Sequence, residues 1–205
     1  MGGDLVPPSP VFTAIQPIKL FLLYGSVAHS FSQPRERSTM AARGMGERNH
    51  RFLIWGGNGW VAGHLRTFLE AQGREVFSTT VRMEDRGAVA AELDSIRPTH
   101  VLNAAGCTGR PNVDWCEDNK QATIRSNVVG TLTIADCCFL RGIHCTVFAT
   151  GCIYQYDEKH PWDGPGFVEA DPPNFSGSFY SMTKAHVEEA RRGRLSRVIV
   201  GQGLI

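Results

Sequence analysis

The segment Arg51–Gly63, RFLIWGGNGWVAG, constrains the fold of this chain more than any other. Its apolar run stops at glycine, as a buried parallel strand does when both of its faces are covered. The glycines that follow have the pattern G-x-x-G-x-x-A and lead directly into residues with the apolar spacing of a helix. A strand, a glycine turn and a helix in this order present backbone N–H groups at the positive end of a helix dipole. We therefore predict a dinucleotide-binding unit, with a plain strand–helix turn as the alternative.

The small residues of this turn have different predicted roles. Gly56 allows the chain to turn, and Gly59 lets a phosphate approach the backbone. Either Ala62 or Gly63 makes the contact between helix and strand.

The alternation of strands and helices continues along the chain. We predict strands at 74–79, 99–103 and 143–149, a helix from Asp85 to just before Pro98, a long helix at 119–140 and a helix that begins near Phe179. This order indicates an α/β fold of the Rossmann type, a doubly wound parallel sheet with right-handed crossovers.

The end of the second strand bears on the cofactor. In NAD-binding units an acidic residue about 20 residues after the glycines accepts hydrogen bonds from the adenosine ribose. Here Ser78, Thr79 and Thr80 hold that place, and Arg82 follows. Hydroxyls and a guanidinium bind a 2′-phosphate that a carboxylate would repel, so NADP is predicted and NAD remains open. The alternative is that Arg82 is only a solvated loop cation.

Tyr180 and Lys184 are four residues apart, which places them on the same face of the last predicted helix. We expect the ammonium, with a positively charged nicotinamide nearby, to favour phenolate and to lower the phenol pKa from near 10 toward the working range. Thr150, at the end of the fourth strand, would hold a substrate carbonyl oxygen while Tyr180 donates a proton to it. The pattern Y-x-x-x-K also occurs by chance, and its position after the glycine turn and Thr150 favours the catalytic interpretation.

Two polar features lie near the predicted ligand edge. The segment 107–118, CTGRPNVDWCED, follows the third strand, so Arg110, Asn112 and Asp114 are candidates to face a substrate. Alternatively, the Pro-Asn pair of this segment only starts a helix. Asn127 lies within the apolar pattern of the long helix, and its spacing does not decide between a buried tie and an exposed amide.

Composition limits the other function classes. The formal net charge of +1 indicates neither a nucleic-acid nor a membrane partner. The six cysteines include no C-x-x-C pair, so we predict no metal site, no disulfide framework and a cytoplasmic location.

Residues 1–50 differ in kind from the rest of the chain. Their prolines and charges interrupt any period, so we predict a disordered leader, followed by an NAD(P)-binding domain at 51–205. The apolar run at 18–28 is shorter than the ~20 residues that span a bilayer. A secretory signal is the weaker interpretation, because no basic cluster precedes this run.

From Arg51 to about Arg191 the sequence resembles the extended short-chain dehydrogenase/reductase family. The shared motifs are GGNGWVAG, NAAG at 103–106, NVVGT at 127–131 and YSMTK at 180–184. Within that family, the longer stretches AAGCTGRPNVDWCED, ATGCIYQYD and PNFSGSFYSMTKAHVEE resemble the nucleotide-sugar 3,5-epimerase/4-reductases of UDP-rhamnose synthesis, relatives of dTDP-4-dehydrorhamnose reductase.

The resemblance implies reduction of the C4 ketone of a UDP-linked 4-keto-6-deoxyhexose, with Thr150, Tyr180 and Lys184 as the triad. Cys152 lies where the related GDP-fucose synthases place an epimerisation acid–base, so 3,5-epimerisation is predicted too, against a role in packing alone. The implied cofactor contacts come from Gly56, Gly59, Trp60, Val61, Arg82, Asn103, Ala104, Ala105, Gly106 and Asn127. The implied substrate contacts come from Thr108, Arg110, Asn112 and Asn174.

Family members continue after Arg191 with further strands and a small C-terminal domain that closes over the nucleotide-sugar, and this sequence holds little of that part. We therefore expect slower turnover, because remote binding energy is lost and water enters the site. A homodimer is left open. The alternatives are a non-catalytic, cofactor-binding regulatory subunit and a different nucleotide-sugar epimerase or dehydratase. The dehydratase is disfavoured because Gly151 holds the place where that class usually has an acidic residue.

Overall fold

The computed structural model describes residues 50–168, 170–194 and 198–201. The predictions made for the leader, including the apolar run at 18–28, lie outside this part of the chain. Within it, five strands form one parallel sheet in the order β2-β1-β3-β4-β5. The strands are β1 (Arg51–Trp55), β2 (Glu75–Thr79), β3 (His100–Asn103), β4 (His144–Phe148) and β5 (Val198–Gly201). The predicted α/β class with a Rossmann-type parallel sheet is confirmed.

The described helices connect these strands. They are α1 (Trp60–Ala71), α2 (Arg86–Ile96), α3 (Trp115–Asp118), α4 (Lys120–Ile124), α5 (Thr131–Leu140) and α6 (Phe179–Arg194). A π-helical turn (Arg125–Gly130) joins α4 to α5, and a 3-10 turn (Gly151–Ile153) follows β4. The Asp85 side chain caps α2 by accepting a hydrogen bond from the Ala88 N–H.

Alternate residues of each strand pack on opposite faces of the sheet. Leu53 and Trp55 join one cluster, in which α2 and α5 supply residues such as Val89, Leu93, Ile134 and Ala135. Ile54 joins a second cluster with Ala62 and Leu69 of α1. Both faces are therefore covered, which explains why the strands read as continuous apolar runs.

The predicted long helix at 119–140 has the expected extent but not a regular geometry. The π-helical turn changes the rotational phase of the side chains, so Thr123, Asn127 and Gly130 face inward. Ile124, at the start of the predicted apolar period, is 42% exposed. Gly130 is required where it stands, because a Cβ there would lie 2.6 Å from the Met83 Cβ. A single helical period could not have predicted this change of phase.

No helix in the described part of the chain combines the length and the apolar character needed to cross a bilayer. Across the same residues, no group of three or more His, Cys, Asp or Glu side chains is placed to hold a metal ion.

Candidate functional site

The glycine turn between β1 and α1 has the local geometry that its sequence predicts. Gly56 has a positive φ of 79°, and a Cβ on it would lie 2.8 Å from the backbone of Ala105. The Gly59 N–H donates to the Gly56 carbonyl at 2.8 Å. Gly59 is the N-cap residue of α1. Ala62 is fully buried, whereas a Cβ on Gly63 would meet open space. Ala62 is therefore the residue of the helix–strand contact.

A cavity of about 460 Å³ opens beside this turn, at the carboxyl ends of β1, β2 and β3. Of the residues predicted to bind a cofactor, six line it: Gly56, Gly59, Arg82, Ala104, Ala105 and Gly106. The Trp55 indole N–H donates to the Val81 carbonyl at 2.8 Å and so fixes the wall formed after β2. The turn, its free N–H groups and the small residues after β3 make a cradle that fits a dinucleotide.

The other predicted cofactor residues stand outside the lining of this cavity. The Trp60 side chain is 68% exposed and lies against the His64 ring, with 4.4 Å between ring centroids. Val61 is half-buried in the first turn of α1. Asn103 is fully buried, and its Oδ1 accepts from the Ala105 N–H at 3.1 Å. It shapes the chain after β3 where that chain borders the cavity.

Tyr180 and Lys184 lie on the same face of α6, as their spacing predicts. Both side chains are 7% exposed, and the Lys184 Nζ is 5.9 Å from the centroid of the Tyr180 ring. The Thr150 hydroxyl interacts with the Tyr180 phenol and favours its ionised form. It also accepts from the Cys152 N–H at 3.2 Å, which fixes its position at the end of β4. Two hydroxyl oxygens therefore meet at one point, where both can contact one ligand atom.

Burial changes the pKa values of Tyr180 and Lys184. Burial raises the pKa of Tyr180 above its ordinary value of 10.0, and the interaction with Thr150 opposes this only in part. Burial also lowers the pKa of Lys184 from 10.5 to about 8. In the protein alone, desolvation of the phenolate therefore outweighs the neighbouring ammonium, and the lowering expected beside a nicotinamide stays a prediction. The phenol keeps its proton at neutral pH.

Gly106 brings the cavity wall and the triad helix together. A Cβ on this residue would lie 2.9 Å from the Lys184 Nζ and 3.4 Å from the Asn127 Oδ1. With Lys184 in its present position, a residue larger than glycine does not fit at position 106.

Asn127 is a buried tie, which decides between the two interpretations of its spacing. Its Oδ1 accepts from the Cys107 N–H at 2.8 Å, and its Nδ2 donates to the Cys107 carbonyl at 2.9 Å. The same Nδ2 lies 3.4 Å from the Thr183 hydroxyl of α6. One amide thus links the chain after β3 to the helix that carries Tyr180. Its predicted contact with a cofactor stays a prediction.

Two further side chains position α6, and sequence reasoning missed both. The Glu117 carboxylate accepts from the Phe179 N–H at 2.6 Å, at the first residue of the helix. The Ser181 hydroxyl donates to the Cys152 carbonyl at 2.7 Å. Ser181 lies within the YSMTK motif and Glu117 within the segment 107–118, but neither pattern predicts these contacts, because each contact joins segments distant in sequence.

The thiols near the triad differ in exposure. Cys152 is exposed, Cys107 is half-buried and Cys116 is buried, and the electrostatic influence of all three on the Tyr180 phenol raises its pKa. Cys152 follows Thr150 by two residues, so the predicted epimerisation residue lies beside the triad and is open to solvent.

The predicted substrate residues are held in different ways. Thr108 and Arg110 are exposed. Asn112 bonds locally with Asp114, through its Nδ2 to Oδ2 at 3.0 Å and through its Oδ1 to the N–H at 3.1 Å. This turn precedes α3 and agrees with the alternative that the segment starts a helix. The Asn174 amide is engaged with Gln155 and Asp157 within the loop after β4.

Comparison with known proteins finds similarity to enzymes of nucleotide-sugar metabolism. The family model described as the RmlD substrate binding domain matches residues 50–201. A bifunctional dTDP-4-dehydrorhamnose 3,5-epimerase/dTDP-4-dehydrorhamnose reductase of Arabidopsis thaliana is 52% identical over 149 residues, which are 72% of this chain and 50% of that protein. A trifunctional UDP-glucose 4,6-dehydratase/UDP-4-keto-6-deoxy-D-glucose 3,5-epimerase/UDP-4-keto-L-rhamnose-reductase of the same plant is 54% identical over 140 residues, 68% of this chain and 21% of that protein.

Solved structures with the same fold are also similar to this chain. The UDP-rhamnose synthase of Acanthamoeba polyphaga mimivirus has a TM-score of 0.67 and 32% identity, covering 74% of this chain and 55% of its own. A dTDP-4-dehydrorhamnose reductase from Bacillus anthracis in complex with NADP has a TM-score of 0.63 and covers 75% of this chain and 53% of its own. Its identity of 20% shows the fold alone. The chain spans about half or less of the length of these relatives.

Proposed function

Because the chain belongs to the RmlD substrate binding domain family, we propose that it reduces the C4 ketone of a 4-keto-6-deoxy sugar carried on UDP, as in rhamnose synthesis. The observation that carries the proposal is the interaction of the Thr150 hydroxyl with the Tyr180 phenol, with Lys184 one helical turn away and the glycine-lined cavity beyond the β3 end. The names of the plant and viral relatives support this substrate class.

We propose NADP as the cofactor. The glycine turn and the first N–H groups of α1 would hold its pyrophosphate, and no acidic residue among 77–80 would repel its 2′-phosphate. The Bacillus anthracis relative was solved with NADP, which agrees with this choice. When bound, NADPH supplies the hydride that the ketone carbon accepts.

The protein supplies the proton. The buried phenol of Tyr180 is protonated at neutral pH, which is the form that a ketone reduction requires of its acid. Thr150 would hold the same carbonyl oxygen and so fix its direction. Lys184, whose lowered pKa of about 8 lies near the working range, would stabilise the phenolate left after transfer.

We propose Cys152 as the acid–base of 3,5-epimerisation. Its thiolate would remove the proton on a carbon next to the ketone, and the electrons of that C–H bond would move into the carbonyl, making an enolate oxygen. Thr150 and Tyr180 would hold that oxygen, and return of a proton on the other face would invert the carbon. The test is deuterium incorporation from solvent into the sugar, which Cys152→Ser should abolish while Tyr180→Phe leaves some of it.

The direct test of reduction uses the purified chain with NADPH and UDP-4-keto-6-deoxyglucose. We expect NADPH to be consumed, and Tyr180→Phe to lower the rate by about 10²- to 10⁴-fold. Tyr154→Phe is the matched control, because the Tyr154 phenol bonds to the Asp171 carbonyl within a loop and not to Thr150. If a longer relative consumes NADPH and this chain binds it without turnover, the chain is a cofactor-binding subunit and not a reductase.

We also propose that residues 51–205 act as one NAD(P)-binding domain. The single parallel sheet that runs from β1 to β5 supports this division. Limited proteolysis should leave a fragment that begins near Arg51 and still binds NADPH, and cleavage inside the sheet region would contradict the division.

A further inference from the structure

Arg66 reaches from α1 to the end of β2. The half-buried side chain donates from its Nη2 to the Ser78 hydroxyl at 2.5 Å. Gly57 of the glycine turn lies beside this bond, since a Cβ on it would be 3.5 Å from the Arg66 Nη2 and 2.8 Å from the Ser78 Cβ. A guanidinium, a hydroxyl and the backbone of the glycine turn therefore meet at one place.

No carboxylate in the described part of the chain forms an ion pair with Arg66. Within the described residues, three other arginines make ion pairs, Arg51 with Glu75, Arg86 with Asp136 and Arg141 with Asp94, and none of the ion pairs includes Arg66. Ser78 takes one of the five N–H donors of the guanidinium. The remaining donors and the positive charge suit an anion with several acceptor oxygens, and a phosphate is the best match.

This place also adjoins the cavity. Gly57 lies beside the Arg66–Ser78 bond in space, and Thr79 follows Ser78 in the sequence. Both residues line the cavity beside the glycine turn. In a dinucleotide-binding unit the adenosine ribose lies where the second strand ends. The bond with Ser78 holds the guanidinium at this position before any ligand arrives, so little side-chain entropy remains to be lost on binding.

We propose that Arg66 and Ser78 together bind the 2′-phosphate of NADP, and that Arg66 sets the preference for NADP over NAD. The inference rests on the proposed function for the presence of a dinucleotide, but not for the identity of the sugar. The prediction made from sequence gave this role to the hydroxyls of residues 78–80 together with Arg82, and the inference replaces Arg82 with Arg66 as the guanidinium. Arg82 lines the cavity but is exposed, and no side chain holds it over the end of β2 in the way that Ser78 holds Arg66 among the described contacts.

The experiment measures binding and not turnover. Calorimetry on the whole chain compares adenosine 2′,5′-bisphosphate with adenosine 5′-monophosphate, which differ by the 2′-phosphate alone, and then NADPH with NADH. We expect Arg66→Gln to weaken the bisphosphate and NADPH by about 10- to 100-fold and to leave the monophosphate and NADH unchanged. Ser78→Ala should have a smaller effect of the same kind. Arg97→Gln is the matched control, with an expected change below about threefold for every ligand, because Arg97 is exposed at the end of α2 and does not line the cavity. Arg82→Gln tests the assignment made from sequence.

Three outcomes overturn the inference: equal loss of NADPH and NADH in Arg66→Gln, loss of NADPH in Arg82→Gln instead, or a wild-type chain that binds the two dinucleotides alike. Melting curves of each variant show whether a loss comes from unfolding. If the wild-type chain binds neither dinucleotide, the proposed function fails together with the inference. If binding of NADPH depends on Arg66 but no keto-sugar is reduced, only the proposed function fails.

Discussion

The buried ammonium of Lys184 should lower the free energy of unfolding, although the proposed reaction needs this group. Its side chain is 7% exposed, and burial lowers its pKa from 10.5 to about 8. Because each pKa unit equals about 1.4 kcal/mol, the charge opposes folding by about 3 kcal/mol at pH 7. Lys184→Met keeps the aliphatic stem and removes the charge. We expect the free energy of unfolding to rise by about 1–3 kcal/mol at pH 7, while ketone reduction is lost.

The gain should depend on pH with a defined sign. Between pH 8 and pH 10.5 the folded wild type has released the Lys184 proton while the unfolded chain still holds it. The unfolded state then binds more protons, so wild-type stability rises with pH and the advantage of the variant shrinks. With a Lys184 pKa of 10.5 in the unfolded chain and about 8 in the folded chain, the variant should be more stable than wild type by at most about 3 kcal/mol at pH 7 and about 1.4 kcal/mol at pH 9.5.

Urea unfolding of wild type and variant at these two pH values tests the argument. Lys120→Met serves as the control, because the Lys120 side chain is exposed, and its effect should stay within about 0.5 kcal/mol at both pH values. A Lys184→Met protein that is less stable than wild type at pH 7, or whose advantage does not change with pH, would refute the reasoning.

Three further predictions follow from the same geometry. Gly106→Ala should abolish reduction with little loss of fold, since its Cβ would lie 2.9 Å from the movable Lys184 Nζ; activity and melting temperature together check this. Gly56→Ala should lower the free energy of unfolding by about 1–3 kcal/mol in urea and prevent NADPH binding, because its φ is 79° and its Cβ would lie 2.8 Å from the Ala105 backbone. Burial lowers the His100 pKa from 6.5 to about 4, so the unfolded chain binds the proton first and wild-type stability should fall as pH falls from 6.5 to 4. His100→Gln should flatten that fall in urea titrations, and an unchanged slope would contradict the assignment.

The sequence predicts the parts of the site that depend on local rules. The glycine turn follows from the steric freedom of Gly56, and the stacking of Tyr180 with Lys184 follows from helical spacing alone. Both are present in the structure as expected. The order of strand, turn and helix likewise predicts the parallel sheet, because two parallel strands need a long crossover between them and that crossover is usually a helix.

The parts that sequence reasoning missed depend on contacts between distant segments. The bond of Arg66 to Ser78 joins α1 to β2, and the bond of Glu117 to the start of α6 joins residues 62 positions apart. The rise in the Tyr180 pKa is a result of burial, which depends on the whole fold and not on the lysine one turn away. Local spacing therefore located the reactive groups, whereas their protonation and support required the tertiary structure.

The π-helical turn at Arg125–Gly130 has a consequence for insertions and deletions. An α-helix rotates by about 100° for each residue, so removal of one residue from this turn would restore α-helical geometry and swing everything on one side of it around the axis. Asn127 would then lose its hydrogen bonds to Cys107 after β3, and Thr123 would no longer face the interior. The exposed side chains of this turn, Arg125 and Val129, should tolerate replacement, but the turn should not tolerate the loss of a single position in chain length.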